Sequence, residues 1–270
     1  MDRDARKPTL LDNGIADAAT AIARWRVWLY LGLVDINRTY TRAEIGLAWV
    51  ILQAAAWVTL IAIVFNPIFV DDFPEYLSYV AIAVVAYNTA AHIFSSSADA
   101  FLRHRGTILN IPAPMLLFPL RTCVSGFYVG LLQAPVAIFV VWFQGSAQLD
   151  SLIWLFLAIP CFLVFLVGIS ICFAYIGAFS GDFRFLVQIS MRFLFFATPI
   201  FWVMPEEPGL RRLLGELNPL THFLEMFRGG VLGYAPSTLN LTVVACASVG
   251  AITLGAIFHF LLTNRTARIL

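Results

Sequence analysis

Residues with the chemistry to act on another molecule are few in this chain, and their spacing excludes more than it assigns. The only lysine is Lys7. No glycine-rich turn is therefore followed by the lysine that a phosphate-cradling P-loop requires, and none stands further along to form a Schiff base. His92, His104, His222 and His259 are scattered, as are Cys123, Cys161, Cys172 and Cys246, with neither a CxxC pair nor the close spacing of a metal-ligand set. The run GIS at Gly168–Ser170 is the nearest approach to a serine nucleophile turn, and three residues of that kind arise readily by chance. What remains is a set of arginines suited to phosphate oxygens and many aromatic rings, which is the chemistry of binding rather than of bond-making.

The elements that must position these groups are set by composition. Hydrophobic residues make up 60% of the chain and charged residues 12%, where a soluble chain carries roughly a quarter charged. Apolar windows of about 20 residues, the length that crosses the hydrocarbon, occur near Gly46–Phe65, Tyr76–Ser96, Met115–Phe143, Leu152–Phe179, Phe185–Met204 and Leu239–Leu262. The fold class expected is an all-α integral membrane protein with six transmembrane helices. The polar leader lacks a signal-peptide cleavage site, which keeps the N-terminus in the cytosol. With that orientation every basic residue except Arg211, Arg212 and Arg228 falls on the inner side, as the positive-inside bias requires.

No Asp or Glu lies inside the six windows. An ion-coupled carrier keeps an ionisable relay at mid-membrane despite a cost of roughly 2.5–3.5 kcal/mol, so a transport role here draws its energy from elsewhere, most simply from a partner ATPase. Arg121 and Arg192 lie near inner ends, within snorkelling reach of the headgroups, and His259 is expected at the interface.

Residues 1–20 read as a polar leader, disordered or loosely helical. On a helix from Ile22 to Tyr40, Ile22, Trp25, Leu29, Leu33, Ile36 and Tyr40 share one face, and Arg24, Asp35, Arg38 and Arg42 the other. That is an interfacial helix, over residues 21–43, which is either an anchor and nothing more or a positioned part of the machine. The loop after the second window carries Arg103, His104 and Arg105 on a short helix ended by Gly106 and prolines. Charge alone does not decide between simple inside-loop bias and a peg for a cytosolic motor. Windows three and five are crowded with rings, Phe127, Phe193 and Phe196 among them. Most must pack, but a subset lining a path would suit sugars, whose apolar faces slide over rings through many weak contacts.

Between the fifth and sixth windows, Asn218 caps a helix begun by Pro219. Leu220, Phe223, Leu224, Phe227 and Val231 take one face, and Thr221, His222, Glu225 and Arg228 the other. With the short amphipathic stretch before it, this predicts a re-entrant helical hairpin over residues 208–233 that covers an exit on the outer side.

Four stretches then carry a likeness. DINRTYTRAEIGLAW spans Asp35–Trp49, with Asp35, Tyr40, Arg42, Gly46 and Trp49 in place. FPL stands at Phe118–Leu120. GDFRFLVQISMRFLFFATPIF spans Gly181–Phe201, with Asp182 and Thr198-Pro199-Ile200 in register, and LNPLTHFLEMFRGGVLG spans Leu217–Gly233. From Asp35 onward the chain resembles the membrane subunit of an ABC-2 type polysaccharide exporter, the permease of O-antigen, capsule and teichoic-acid transporters. Thr39 stands where that family carries an arginine directly before the tyrosine, and Gly181 where it carries one before the aspartate.

The resemblance implies a membrane domain over residues 44–270, with spans near 46–66, 76–98, 115–143, 152–179, 185–204 and 238–262. Two copies would enclose a conduit and work with two copies of a P-loop ATPase. This chain would be a non-catalytic transport subunit without cofactor or metal of its own, ATP and magnesium sitting on the ATPase. Its cargo would be a lipid-linked polysaccharide and its surroundings membrane lipid, with no nucleic-acid partner. Phe101, Arg103, His104, Arg105 and Gly106 would form the ATPase-coupling helix, and Arg38 and Arg42 would meet the lipid diphosphate at the inner face. Trp57, Tyr87, Phe127, Phe193 and Phe196 are the conduit rings, and Asn218, Pro219, Phe223, Glu225, Phe227 and Arg228 the outer gate. The place implied is the bacterial inner membrane, with both termini cytosolic. The alternatives are an ABC-2 drug or lipid exporter permease and, from another class, an intramembrane enzyme acting on lipid-linked sugar.

Overall fold

The computed structural model describes residues 10–41, 43–69 and 75–269, and among them every regular element is helical. Helices α1 (Leu10–Ala23) and α2 (Trp25–Tyr40) lead into α3 (Ala48–Phe69) and α4 (Tyr76–Ser97). The short α5 (Ala100–Arg103) and α6 (Arg105–Asn110) precede α7 (Leu117–Gln144), and a 3-10 turn at Leu149–Ser151 opens α8 (Leu152–Phe179). The chain ends with α9 (Phe183–Ala197), α10 (Leu210–Leu217), α11 (Pro219–Leu232) and α12 (Thr238–Ile269). The first nine residues of the expected leader, and Arg42, lie outside the described residues.

Five helices, α3, α4, α7, α8 and α12, are long and apolar enough to cross a bilayer. The fifth apolar window does not form such a helix. Its helix α9 has 15 residues, about 22 Å against a hydrocarbon thickness of about 30 Å. It stops at Thr198, which is extended (φ −89°, ψ 138°), because a residue before proline is pushed out of the helical region. The backbone beyond is irregular as far as Gly209, and its carbonyls find partners from elsewhere in the bundle. Such backbone is tolerated at membrane depth only where protein satisfies it.

Small residues let α8 and α12 approach backbone to backbone. A Cβ on Gly168 of α8 would fall 2.3 Å from the Ala251 carbonyl carbon of α12, and one on Gly255 only 2.9 Å from the Gly168 oxygen. Without a hydrophobic drive inside lipid, such backbone approach is what holds helices together.

The leader is more ordered than its composition suggests. From Leu10 it is helical, and α1 packs along the end of α12. Both oxygens of Asp17 accept backbone N–H groups at the start of α7, from Met115 at 2.7 Å and Leu116 at 3.0 Å. His259 Nε2 donates to the Gly14 carbonyl at 3.1 Å. His259, expected at the interface, is buried. Composition alone misses these ties because a single Asp and a backbone carbonyl carry them.

The interface helix differs from expectation in two ways. It breaks at Arg24 (φ −92°, ψ 32°), so α1 and α2 are separate. Its Trp25 and Leu29 are exposed as expected, but Asp35 does not face away from the bundle. The face through Trp28, Gly32 and Asp35 packs on α7, where a Cβ on Gly32 would sit 2.7 Å from the Arg121 carbonyl oxygen.

Candidate functional site

Helices α3, α4 and α9 border a groove of about 600 Å³ whose walls are mostly rings. Trp57 and Phe65 come from α3, Tyr87 from α4, Phe195 and Phe196 from α9, and Phe201 from the irregular segment beyond. They brace one another: Phe195 lies 6.3 Å from Trp57, 5.4 Å edge-on from Tyr87 and 5.8 Å from Phe201, centroid to centroid. The Tyr87 hydroxyl donates to the Met191 carbonyl, which fixes α9 against α4. Asn88, Ser95, Gln188 and Arg192 are the polar side chains in the lining, and no carboxylate lines it. Arg192 has no ion-pair partner among the described residues.

The rings named from sequence divide on this surface. Trp57, Tyr87 and Phe196 line the groove, whereas Phe127 packs partly buried on α7 and Phe193 is exposed away from it. Helical phase explains the split. Gln188, Met191, Arg192, Phe195 and Phe196 repeat at i, i+3, i+4, i+7 and i+8, while Phe193 is turned about 140° from Gln188. The same phase shows that Phe195 and Arg192 could have been found by counting rather than by ring density. Arg192, expected near an inner end, lines the groove.

At the end of the bundle where α1, α5 and α6 gather, charges interlock. Arg121 grips Asp35 with both branches, Nε donating to Oδ2 at 2.5 Å and NH2 to Oδ1. The arginine side chain is 8% exposed, and the pair ties α2 to α7. His104 stacks on Phe118 at 5.8 Å. Burial, and after it the Arg121 guanidinium, pushes its imidazole down to about 4, so it is neutral near pH 7. Of the coupling residues named from sequence, Arg103, Arg105 and Gly106 are exposed, Arg103 pairing with Asp99 at 2.6 Å. Phe101 is buried against Phe118 and Tyr175, with centroids 6.1 and 5.1 Å away. It is the anchor of this elbow, not its exposed tip. Exposed Leu102, Leu109 and Ile111 complete the tip. Arg38 is exposed on α2, one turn beyond Asp35.

At the opposite end, α11 is buried on its polar face as well as its apolar one. Thr221, His222 and Arg228 are 1%, 2% and 0% exposed. Arg228 supplies the reason. Its NH2 donates to the Pro199 carbonyl at 2.7 Å, its Nε to the Tyr79 carbonyl at 3.3 Å and its NH1 to Glu225 at 2.8 Å. Its guanidinium lies 3.3 Å from the centroid of the Tyr79 ring. The hydroxyls of Tyr76 and Tyr79 donate to the Phe201 and Trp202 carbonyls at 2.6 and 3.1 Å. One arginine and two tyrosines thus take up the carbonyls that the broken helix α9 leaves over. Asn218 caps α11 as expected, accepting from Leu220 N at 3.1 Å, and donates to Thr198 at 2.6 Å. Pro219 opens that helix, and Phe223 and Phe227 pack against Phe162, 5.2 Å away in each case.

Ser170, the one candidate nucleophile, is fully buried. It exchanges a hydrogen bond with Ser97 at 2.7 Å and donates to the Pro119 carbonyl at 3.2 Å, so it joins helices.

The sequence profile of the ABC-2 type transporter family matches residues 27–232, from early α2 to the end of α11. The chain belongs to the ABC-2 type transporter family. Among curated proteins none matches it. ABC-2 membrane domains serve as transport subunits beside an ATPase subunit. The match takes in the Asp35–Arg121 pair, the groove and the Arg228 clamp together.

Proposed function

We propose that this ABC-2 chain is the permease of an exporter that moves a lipid-linked polysaccharide, such as an O-antigen or capsule chain, across the bacterial inner membrane. Two copies face each other, two copies of a P-loop ATPase supply ATP and magnesium, and this chain holds no cofactor. Both termini are cytosolic, so the charged end with α5 and α6 faces the ATPase, and the end closed by α10 and α11 faces outward. Arg38 and Arg42 stand at the inner face for the lipid diphosphate. Residues 185–204 serve as the fifth of six passes, with the irregular segment after α9 completing what the helix does not span. The helices α10 and α11 then form the re-entrant outer hairpin.

The observation that carries this reading is the groove. Rings on three helices, with Trp57 and Phe196 facing outward at 47% and 64% exposure, form one wall of a path that a second copy closes. Ring faces offer a sugar polymer many shallow contacts and no deep well, which movement requires. The exposed elbow of Leu102, Arg103, Arg105, Leu109 and Ile111 suits a motor's cleft, with Phe101 transmitting its push into α7 and α8.

The test is reconstitution of the chain with its ATPase in vesicles. Lipid-linked glycan is expected to stimulate ATP hydrolysis several-fold and to become accessible to a lumenal glycosidase, and the permease alone should be inert. Stimulation by hydrophobic drugs or phospholipids and not by glycan would refute the substrate. Uphill movement without the ATPase would refute the mechanism.

A further inference from the structure

Behind the aromatic groove lies a second cavity of different chemistry. It occupies about 190 Å³ between the end of α2 and helices α3, α4 and α7, and shares Trp57 and Asn88 with the groove. That is the room of roughly six waters, the scale of one sugar ring and not of a polymer. Its lining brings together Gln53, Asn88, His92, Gln133, Tyr40 and Trp57. Amides and an imidazole inside membrane helices are costly to place unless they meet a partner. Their internal bonding is incomplete. Asn88 Nδ2 donates to Gln133 Oε1 at 3.2 Å, and His92 Nε2 meets the Ser125 hydroxyl at 3.4 Å. Asn88 Oδ1, the Gln133 amide nitrogen and the whole amide of Gln53 have no hydrogen-bond partner among the described residues. Gln53 is exposed on α3, makes no side-chain hydrogen bond among the described residues, and lines the cavity with no arginine, lysine or carboxylate beside it.

We propose that this cavity is a subsite for a single neutral, hydroxyl-bearing ring, a monosaccharide unit held beside the path of the chain. Planar amides present a donor and an acceptor side by side, which matches vicinal hydroxyls. The Trp57 ring offers the flat apolar surface that the C–H face of a pyranose covers. No arginine, lysine or carboxylate is among the lining residues, so a phosphate or an acidic sugar gains nothing there, whereas the groove with Arg192 is open to an anion. The ring enters past Trp57 and Asn88, which belong to both spaces. This subsite rests on the polysaccharide reading and narrows it: the cargo, or a branch or terminal unit of it, carries an uncharged pyranose that this cavity reads.

The test uses the full chain in phosphatidylcholine nanodiscs, free of sugar-headed detergent. Saturation-transfer NMR is recorded with methyl glycosides of neutral hexoses, deoxyhexoses and acetamido hexoses, and with methoxycyclohexane as a ring without hydroxyls. At least one pyranoside is expected to receive saturation above the methoxycyclohexane level, with the signal cut at least fivefold by Gln53→Leu and by Asn88→Leu. Gln53→Leu removes no hydrogen bond of the fold, so a loss there is not a loss of folding. No pyranoside above the methoxycyclohexane level, or signals that both variants leave unchanged, overturns the subsite. A parallel measurement of surface glycan in cells separates this from the broader reading. Surface glycan that persists after the gene is deleted overturns the polysaccharide assignment, whereas its loss on deletion with pyranoside signals untouched by both variants overturns the subsite alone.

Discussion

Arg121 and Arg228 stand at opposite ends of the same bundle and do different work with the same side chain. Arg121 turns both branches on one carboxylate, Asp35, which is itself 27% exposed, and so ties the interface helix α2 to α7. Arg228, 0% exposed, divides its donors among the carbonyls of Pro199 and Tyr79 and the carboxylate of Glu225. The first is a charge joining two helices that would exist without it. The second replaces the hydrogen bonds of a helix that stops too soon. An arginine's weight in a membrane fold therefore depends on whether its partners have anywhere else to turn. Carbonyls buried beyond α9 have neither water nor a helical donor, while Asp35 lies within reach of solvent.

The largest effect expected follows from that difference. Arg228→Ala removes the closest donor to the buried Pro199 carbonyl, leaving it the Tyr79 hydroxyl at 3.4 Å, and takes the ion pair from Glu225, which keeps the Tyr234 hydroxyl; hydrogen bonds to a charged group are worth about 1.5–3 kcal/mol each. Monodisperse protein is expected to disappear from detergent extracts on size-exclusion chromatography. Arg228→Lys keeps the charge but has no planar fork to reach three segments at once, so it should be recovered with a melting temperature well below that of the parent. A parent-like melting curve for Arg228→Ala would show that the irregular segment does not depend on the clamp.

Asp35→Asn should be milder. Hydrogen bonds to a charged group are worth about 1.5–3 kcal/mol, and water or headgroups can take over part of the lost interaction at this end. The variant is expected to fold, to melt a few degrees lower, and to lose coupling between ATPase stimulation and transport as α2 loosens from α7. Exchanging the charges, with Asp35→Arg and Arg121→Asp together, should restore more stability than the two single variants predict in sum. Strict additivity would mean the pair is a bystander and the close packing at Gly32 alone holds α2.

How far each end could be read from sequence follows the same line. The helices were legible because long apolar windows leave few alternatives in lipid, and the cap at Asn218 with Pro219 was legible because it is local. The short span of α9 was not, since the window through Met204 carries no carboxylate, its polar residues Gln188 and Arg192 fit a helix as well as a break, and only Pro199 hints at the stop. The burial of Arg228 and His222 escaped because helical periodicity reports polarity, and a polar face buried against carbonyls looks the same as one in water. In the groove, Trp57, Tyr87 and Phe196 were within reach of composition. Phe195 and Arg192 needed the phase of α9, and Gln53, Asn88 and Gln133 needed three helices brought together, which no single stretch of sequence displays.

The smallest effect expected sharpens the contrast by adding pH. His104 lies beside Arg121, its imidazole lowered from an ordinary 6.5 to about 4 chiefly by burial and then by that guanidinium. Between those values the unfolded chain binds a proton that the folded chain refuses, so stability at this end is full above about pH 6.5 and falls as pH drops towards 4. His104 is partly exposed, so solvent screening keeps the loss modest. Melting temperature in detergent is expected to decline over that window, and His104→Gln, which does not titrate, should flatten the part that His104 contributes. If the decline is unchanged in His104→Gln, the imidazole packed on Phe118 is not the group through which acid loosens this end of the bundle.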